Sequence, residues 1–148
     1  MNPNNRLLTL DANVFIASLK SDEPKSEECA TIIAKIPDYF VLAEPSIIYQ
    51  EVCGTLAGRI GLEVARTARK HLDLIIQPRL LTSCDKNLCT SAFSLCSEYK
   101  IYTIDALYLQ VALNNRAILV SLDEEDFIDK LRETKVSLEA YTVSDFPY

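Results

Sequence analysis

The chain has 148 residues and a formal net charge of −6, which suits one domain with a buried core and leaves no global basic field to attract nucleic acid. Three glycines and the lack of any low-complexity tract exclude long flexible linkers and extended disorder. No apolar run reaches the ~18 residues that a membrane-crossing helix needs.

Five cysteines are present, Cys29, Cys53, Cys84, Cys89 and Cys96. An odd count, behind a polar opening at residues 2–5 that does not resemble a secretion signal, predicts a reduced cytoplasmic protein with buried thiols. The spacings within the last three do not fit the two-residue knuckles of a zinc ribbon.

The first apolar run, Leu7-Leu8-Thr9-Leu10, stops at Asp11 and reads as a buried strand. Residues 12–18 are expected to form a short helix, followed by a polar break at 21–25 that contains Pro24. A second helix over 26–36 carries Cys29, Ile32, Ile33 and Ile36 at helical spacing and stops at Pro37. Residues 39–43 make the next strand. Glu44-Pro45-Ser46 looks like a helix start with proline in the first turn. That helix runs through Ile47, Ile48, Glu51, Val52, Thr55 and Leu56 to Gly58. Beyond Gly61, the inward stripe of another helix is Val64, Ala65, Ala68, Leu72 and Ile75.

Pro78 ends that helix, and residues 79–83 read as a third strand. A helix over 85–99 is expected to turn Leu88, Cys89, Ala92, Phe93 and Cys96 inward. The next helix starts at Thr103 or Asp105, carries Leu107, Tyr108, Val111 and Ala112, and closes at Asn114-Asn115. A strand at 117–122, a polar helix at 124–133 and a last strand at 136–142 follow. Alternating strands and helices without tight hairpin signals predict a single α/β domain over 1–148, with a parallel sheet covered on both faces.

Four acids stand where acids are costly. Asp11 and Asp123 each close an apolar strand, Ala117-Ile118-Leu119-Val120-Ser121-Leu122 in the second case. In an open parallel sheet, ligands sit outside the carboxyl ends of the strands. Glu51 shares a helix face with Ile47, Ile48 and Thr55, and Asp105 lies among Ile101, Ile104, Leu107, Tyr108 and Leu109. A buried carboxylate needs a partner or a metal. Each acid also has a plainer reading: Asp11 and Asp105 as helix caps, Glu51 as a solvated flank, Asp123 as a turn residue. The joint pattern favours one site that gathers carboxylates around Mg²⁺ or Mn²⁺.

These residues carry a resemblance. Leu10-Asp11-Ala12-Asn13, the stretch from Pro45 through Ile47-Ile48 to Glu51-Val52, Ile104-Asp105-Ala106-Leu107-Tyr108 and Leu119-Val120-Ser121-Leu122-Asp123 resemble the four motifs of PIN-domain ribonucleases. The likeness is greatest to VapC-type toxins of toxin–antitoxin pairs. It implies a PIN-like three-layer α/β/α fold around a mainly parallel sheet. It also implies a divalent-metal-dependent endoribonuclease in which Asp11, Glu51, Asp105 and Asp123 hold Mg²⁺ or Mn²⁺. Asn13 and Ser121 would orient carboxylates or waters. Ser121 stands where such proteins commonly carry threonine, and Asp126 offers a further acid beside Asp123. The resemblance further implies a homodimer, and an antitoxin whose tail occupies the acidic pocket.

RNA requires positive charge on this acidic chain. Arg59, Arg66 and Lys70 would share one face if their helix were continuous across Gly61, giving a phosphate-contacting edge. The other reading is a solvated helix with Glu63–Arg66 pairing. His71 is the only histidine, which argues against histidine-based RNA cleavage. A phosphatase of the haloacid-dehalogenase type needs a second aspartate where Asn13 stands, and no Gly-x-Gly-x-x-Gly follows any strand. The remaining rivals are a catalytically silent PIN module that binds RNA or protein, and an RNA-processing PIN nuclease outside toxin–antitoxin systems.

Overall fold

The computed structural model describes residues 5–148; positions 1–4 of the polar opening lie outside them. Its centre is β1 (Arg6–Leu10), in which Leu8, Thr9 and Leu10 are all completely buried. Both alternating faces of the strand are therefore covered, as the interior of a parallel sheet demands. After α1 (Ala12–Leu19) and α2 (Ser26–Ile33), β2 (Phe40–Leu42) returns beside β1 with Leu8 opposite Leu42. Far later in the chain, β5 (Ile118–Ser121) takes the other side of β1, with Leu10 opposite Val120, and β6 (Ala140–Thr142) pairs outside β5. The order is β2-β1-β5-β6, and every pairing is parallel. From β1 the chain goes one way to β2, while β5 and β6 build the opposite side. The reversal lies between β1 and β5, where the carboxyl ends of an open sheet form a crevice.

Between β2 and β5 the chain departs from the sequence expectation in an informative way. Glu44–Pro45 are not the first turn of a helix: they form β3, which pairs in parallel with β4 (Leu81–Thr82) as a separate two-stranded sheet. Proline is tolerated because this ladder is only two residues long. The helical segment starts after Ser46, as α3 (Ile47–Tyr49), passes through a π-helical turn at Gln50–Gly54 that carries Glu51, and ends as α4 (Thr55–Arg59). π-Helical turns of this kind cluster at functional sites. Gly61, at φ 153°, breaks the chain before α5 (Leu62–Ile75), which turns Ala65, Ala68 and Leu72 inward and packs against that π-helical turn. A positive φ paired with ψ 162° is a conformation that glycine alone adopts readily.

A 3₁₀ turn at Pro78–Leu80 shortens the expected third strand to β4, and the last strand is likewise confined to 140–142. α6 (Lys86–Tyr99) begins at Asp85, whose side chain accepts the Leu88 amide. Its inward face is Leu88, Ala92, Leu95 and Tyr99. Phe93 is 70% exposed and Cys89 is exposed, which corrects the expected face. Among the cysteines only Cys29 is buried, and all five are free thiols. α7 (Thr103–Asn115) buries Ala106, Leu107, Tyr108, Leu109, Val111 and Ala112 against β1, β3 and β5. A helix apolar nearly all round belongs inside. After β5, a π-helical turn at Glu124–Ile128 leads into α8 (Asp129–Glu133), with Phe127, Ile128 and Leu131 buried. Among the described residues no helix is long and apolar enough to cross a membrane.

Candidate active site

The β1–β5 crevice is held by a hydroxyl. Ser121, fully buried at the end of β5, donates through Oγ to Asp11 Oδ2 at 2.8 Å. Ser121 Oγ in turn accepts the Asp123 amide at 3.0 Å and the Asn13 side-chain amide at 3.2 Å. Asn13 Nδ2 also reaches Asp11 Oδ2 at 3.3 Å, while its Oδ1 accepts the Leu122 amide at 3.1 Å. Asp11 itself donates its backbone amide to Val120. Two strand ends and the first turn of α1 are thereby locked around one carboxylate, which is only 6% exposed. Asp11 precedes α1 but makes no side-chain cap to it.

The other three acids approach from three different elements. Glu51, half-buried in the π-helical turn, accepts the hydroxyl of Tyr108 at 2.7 Å. Asp105 lies in the first turn of α7, inside the helix rather than at its cap, which is Tyr102. Asp123 does act as a cap: its Oδ1 accepts the amide of Asp126, an exposed residue one turn on. Asn13, Ser121 and Asp123 thus form one network with Asp11, and Tyr108 supports Glu51.

Electrostatics tie the four acids together. Burial pushes Asp11 up to about 6, partly offset by the Ser121 hydrogen bond, with repulsion from Glu51 and Asp123 adding to it. Asp105 is pushed up to about 7, first by burial and then by Asp11, Asp123, Glu51 and Asp126. Glu51 is raised by burial, against the lowering effect of Tyr108. After burial, the charges that raise Asp11 and Asp105 are those of the other acids. Negative charge is therefore concentrated at the rim.

Among the described residues, however, no three acids stand close enough to form a ready-made cation cage. The carboxyls lie within Coulomb reach of one another but not in a closed coordination sphere. An all-oxygen, mutually repelling set still fits a hard cation that keeps several of its waters and takes only one or two carboxylates directly. The donor chemistry fits Mg²⁺ or Mn²⁺ rather than a softer ion.

The PIN domain family matches the chain over residues 8–133. The chain belongs to the PIN-domain family. Among solved structures this PIN domain is similar to VapC20 of Mycobacterium tuberculosis, described as a Sarcin-Ricin loop cleaving toxin, at 15% identity and a TM-score of 0.65. The likeness covers 82% of this chain and 92% of that one. A toxin–antitoxin complex from Klebsiella pneumoniae is similar at 20% identity and a TM-score of 0.62, covering 82% and 89%. VapBC2 from Rickettsia felis, bound to a DNA fragment from its promoter, is similar at 11% identity and a TM-score of 0.65, covering 92% and 98%. At these identities the likeness is one of fold. No curated protein sequence matches the chain.

The basic residues proposed for RNA are not on one continuous helix. Arg59 ends α4, and Gly61 separates it from Arg66 and Lys70 on α5. Arg66 is paired with Glu63, and Arg69 with Asp73 at 3.4 Å. Two residues at the rim escaped the sequence reading. Tyr108, completely buried, was indistinguishable from a core aromatic. Glu44, also completely buried, follows the apolar run 40–43 just as Asp11 follows its own, and that parallel was the available signal.

Proposed function

We propose that this PIN domain is a divalent-metal-dependent endoribonuclease that hydrolyses RNA phosphodiester bonds, acting as the toxin of a toxin–antitoxin pair. The observation that carries the reading is the rim of Asp11, Glu51, Asp105 and Asp123, whose carboxyls lie near enough to repel one another. These four residues would hold Mg²⁺ or Mn²⁺. When bound, such an ion polarises a phosphoryl oxygen and makes water a better nucleophile near neutral pH. The chain's own part is orientation. Ser121 and Asn13 fix the rotamer of Asp11, Tyr108 aims Glu51, and Asp126 braces the turn at Asp123. Such supporting bonds commonly govern metal affinity.

Arg59, Arg66 and Lys70 belong to the α4–α5 segment, and α5 packs on the turn that bears Glu51. They would meet phosphates entering the acidic crevice, which an acidic chain of net charge −6 otherwise repels. An antitoxin and a homodimeric assembly are the expected partners; the toxin–antitoxin complexes among the similar folds support the first.

The open spacing of the acids favours a second reading, a catalytically silent PIN module that binds RNA or protein. One experiment separates the two: a labelled single-stranded RNA is incubated with the wild type and with Asp105→Asn, in Mn²⁺, Mg²⁺ or EDTA. Cutting that needs the ion and falls at least ~100-fold in the variant supports the nuclease. Cutting that survives in Asp105→Asn refutes the assignment of the acids. RNA binding without cutting, equal in both proteins, supports the silent module.

A further inference from the structure

The β1–β2 ladder ends in an irregular rung. In a parallel ladder with Leu8 opposite Leu42, the Ala43 amide bonds the Leu8 carbonyl, as it does here at 2.9 Å. The next rung would run from the Leu10 amide to the Ala43 carbonyl. That carbonyl is occupied instead by the hydroxyl of Thr9, at 2.7 Å. At this point the chain leaves β1, because Glu44 and Pro45 pair with Leu81 and Thr82. The Leu10 amide, one residue before Asp11 and completely buried, would be left without an acceptor. Glu44 fills the gap, its side-chain Oε1 accepting the Leu10 amide at 2.7 Å.

We infer that Glu44 is a positioning residue of the acidic site: its side chain substitutes for the missing ladder rung and fixes the strand end that delivers Asp11. The inference deepens the nuclease reading above and rests on it. Three observations converge. Glu44 is 0% exposed, so its contact with β1 is not loosened by solvent. Its second oxygen, Oε2, is buried with no hydrogen-bond partner, a costly arrangement if the residue were only filling space. Burial, with a smaller contribution from the nearby Asp11, raises its carboxyl well above the ordinary carboxylate range, against the lowering effect of the Leu10 hydrogen bond. On the far side of Asp11, the Val120 carbonyl takes the Asp11 amide at 3.0 Å. Asp11 is thus gripped from β5 by a backbone bond and from the β2 side, one residue earlier, by a side-chain bond. A side-chain rung is what a chain must supply where a strand is diverted into a second sheet beside a functional residue.

The test uses Glu44→Gln, which keeps an acceptor for the Leu10 amide, and Glu44→Met, which keeps the length and removes it. Two readouts apply to wild type and both variants: amide hydrogen exchange at Leu10 and Asp11, and Mn²⁺ affinity by calorimetry. In Glu44→Met, both amides are expected to exchange at least ~10-fold faster, and Mn²⁺ affinity to fall ~10-fold or more. In Glu44→Gln, both quantities stay within about twofold of wild type, the rescue that a merely space-filling role would not produce. A Glu44→Met protein that is less stable but keeps wild-type exchange at Asp11 and wild-type Mn²⁺ affinity overturns the inference. Should Glu44→Met not fold, Glu44→Gln decides alone: preserved affinity supports the acceptor role, and a ~10-fold loss in a folded protein overturns it. If wild type binds no Mn²⁺, the nuclease reading fails, and the exchange rates at Asp11 alone judge the role of Glu44.

Discussion

Asp105 shows what single residues at this rim contribute and what they cost. Its carboxyl is pushed up to about 7 by burial and by the negative charges of Asp11, Asp123, Glu51 and Asp126. The folded-state value lies above the unfolded one near 3.8. Stability from this group is therefore fully present below about pH 4 and is lost as pH rises through about 7. In metal-free protein at neutral pH, the ionised carboxylate weakens the fold that holds it. Asp105→Asn removes that penalty. The variant is expected to be more stable than wild type at pH 8 by about 1–2 kcal/mol, a figure reduced for partial exposure of the group. The gain should shrink toward zero at pH 4, where the wild-type carboxyl is already neutral. Urea denaturation in EDTA at pH 4, 6 and 8 measures it. A difference of the same size at all three values would show that charge is not the cause. A residue whose removal stabilises the protein and abolishes its activity is the signature of a site selected for chemistry.

At the scale of elements, the alternation of strands and helices was legible because apolar runs and 3.6-residue stripes are strong local signals. The acids at strand ends were legible for the same reason: each one interrupts an otherwise buried run. What local pattern cannot convey is where a chain is diverted. The two-residue strands β3 and β4 have no periodicity to detect, and Pro45 beside Ser46 carries a genuine helix-start signature. Glu44 was lost with them, although it closes an apolar run as Asp11 does. α6 shows the other weakness of periodicity. The observed face Leu88-Ala92-Leu95-Tyr99 and the expected face Leu88-Cys89-Ala92-Phe93-Cys96 both fit a helix and share Leu88 and Ala92, so spacing alone cannot choose between them. Tertiary packing chooses the first, and Phe93 is left on the rim of a shallow groove with Ile47, Ile104 and Leu107. The choice has a measurable consequence. Leu95→Ala is expected to cost about 2–4 kcal/mol, as for other buried leucines. Phe93→Ala should stay within ~0.5 kcal/mol of wild type, as exposed substitutions do. Chemical denaturation of the two variants measures both, and a larger loss at Phe93 would put the wrong face of α6 inside.

For the whole molecule, the question is how a chain with net charge −6 keeps four carboxylates at one edge. Hydrogen bonds from Ser121 and Asn13 to one oxygen of Asp11, and from Tyr108 to one oxygen of Glu51, hold these groups in place but bring no positive charge. A divalent ion at the rim would reverse the local field, relieve the repulsion and favour the folded state, since the unfolded chain has no such arrangement. At an ion concentration 100 times its Kd, the stabilisation is about 2.7 kcal/mol. For a domain of this size, that corresponds to a rise in Tm of about 8 °C. Mn²⁺ is therefore expected to raise the Tm of wild type at pH 7.5 by that order, and EDTA to reverse it. The rise should be smaller at pH 5.5, because Asp11 at about 6 and Asp105 at about 7 must lose their protons before they can bind. NaCl at matched ionic strength controls for screening of the net charge, which acts on the whole surface. Asp11→Asn and Asp105→Asn should each lose most of the Mn²⁺-specific shift while melting cooperatively. An equal shift in both variants would mean that the ion stabilises the protein elsewhere on its acidic surface, and that the rim between β1 and β5 is not where it binds.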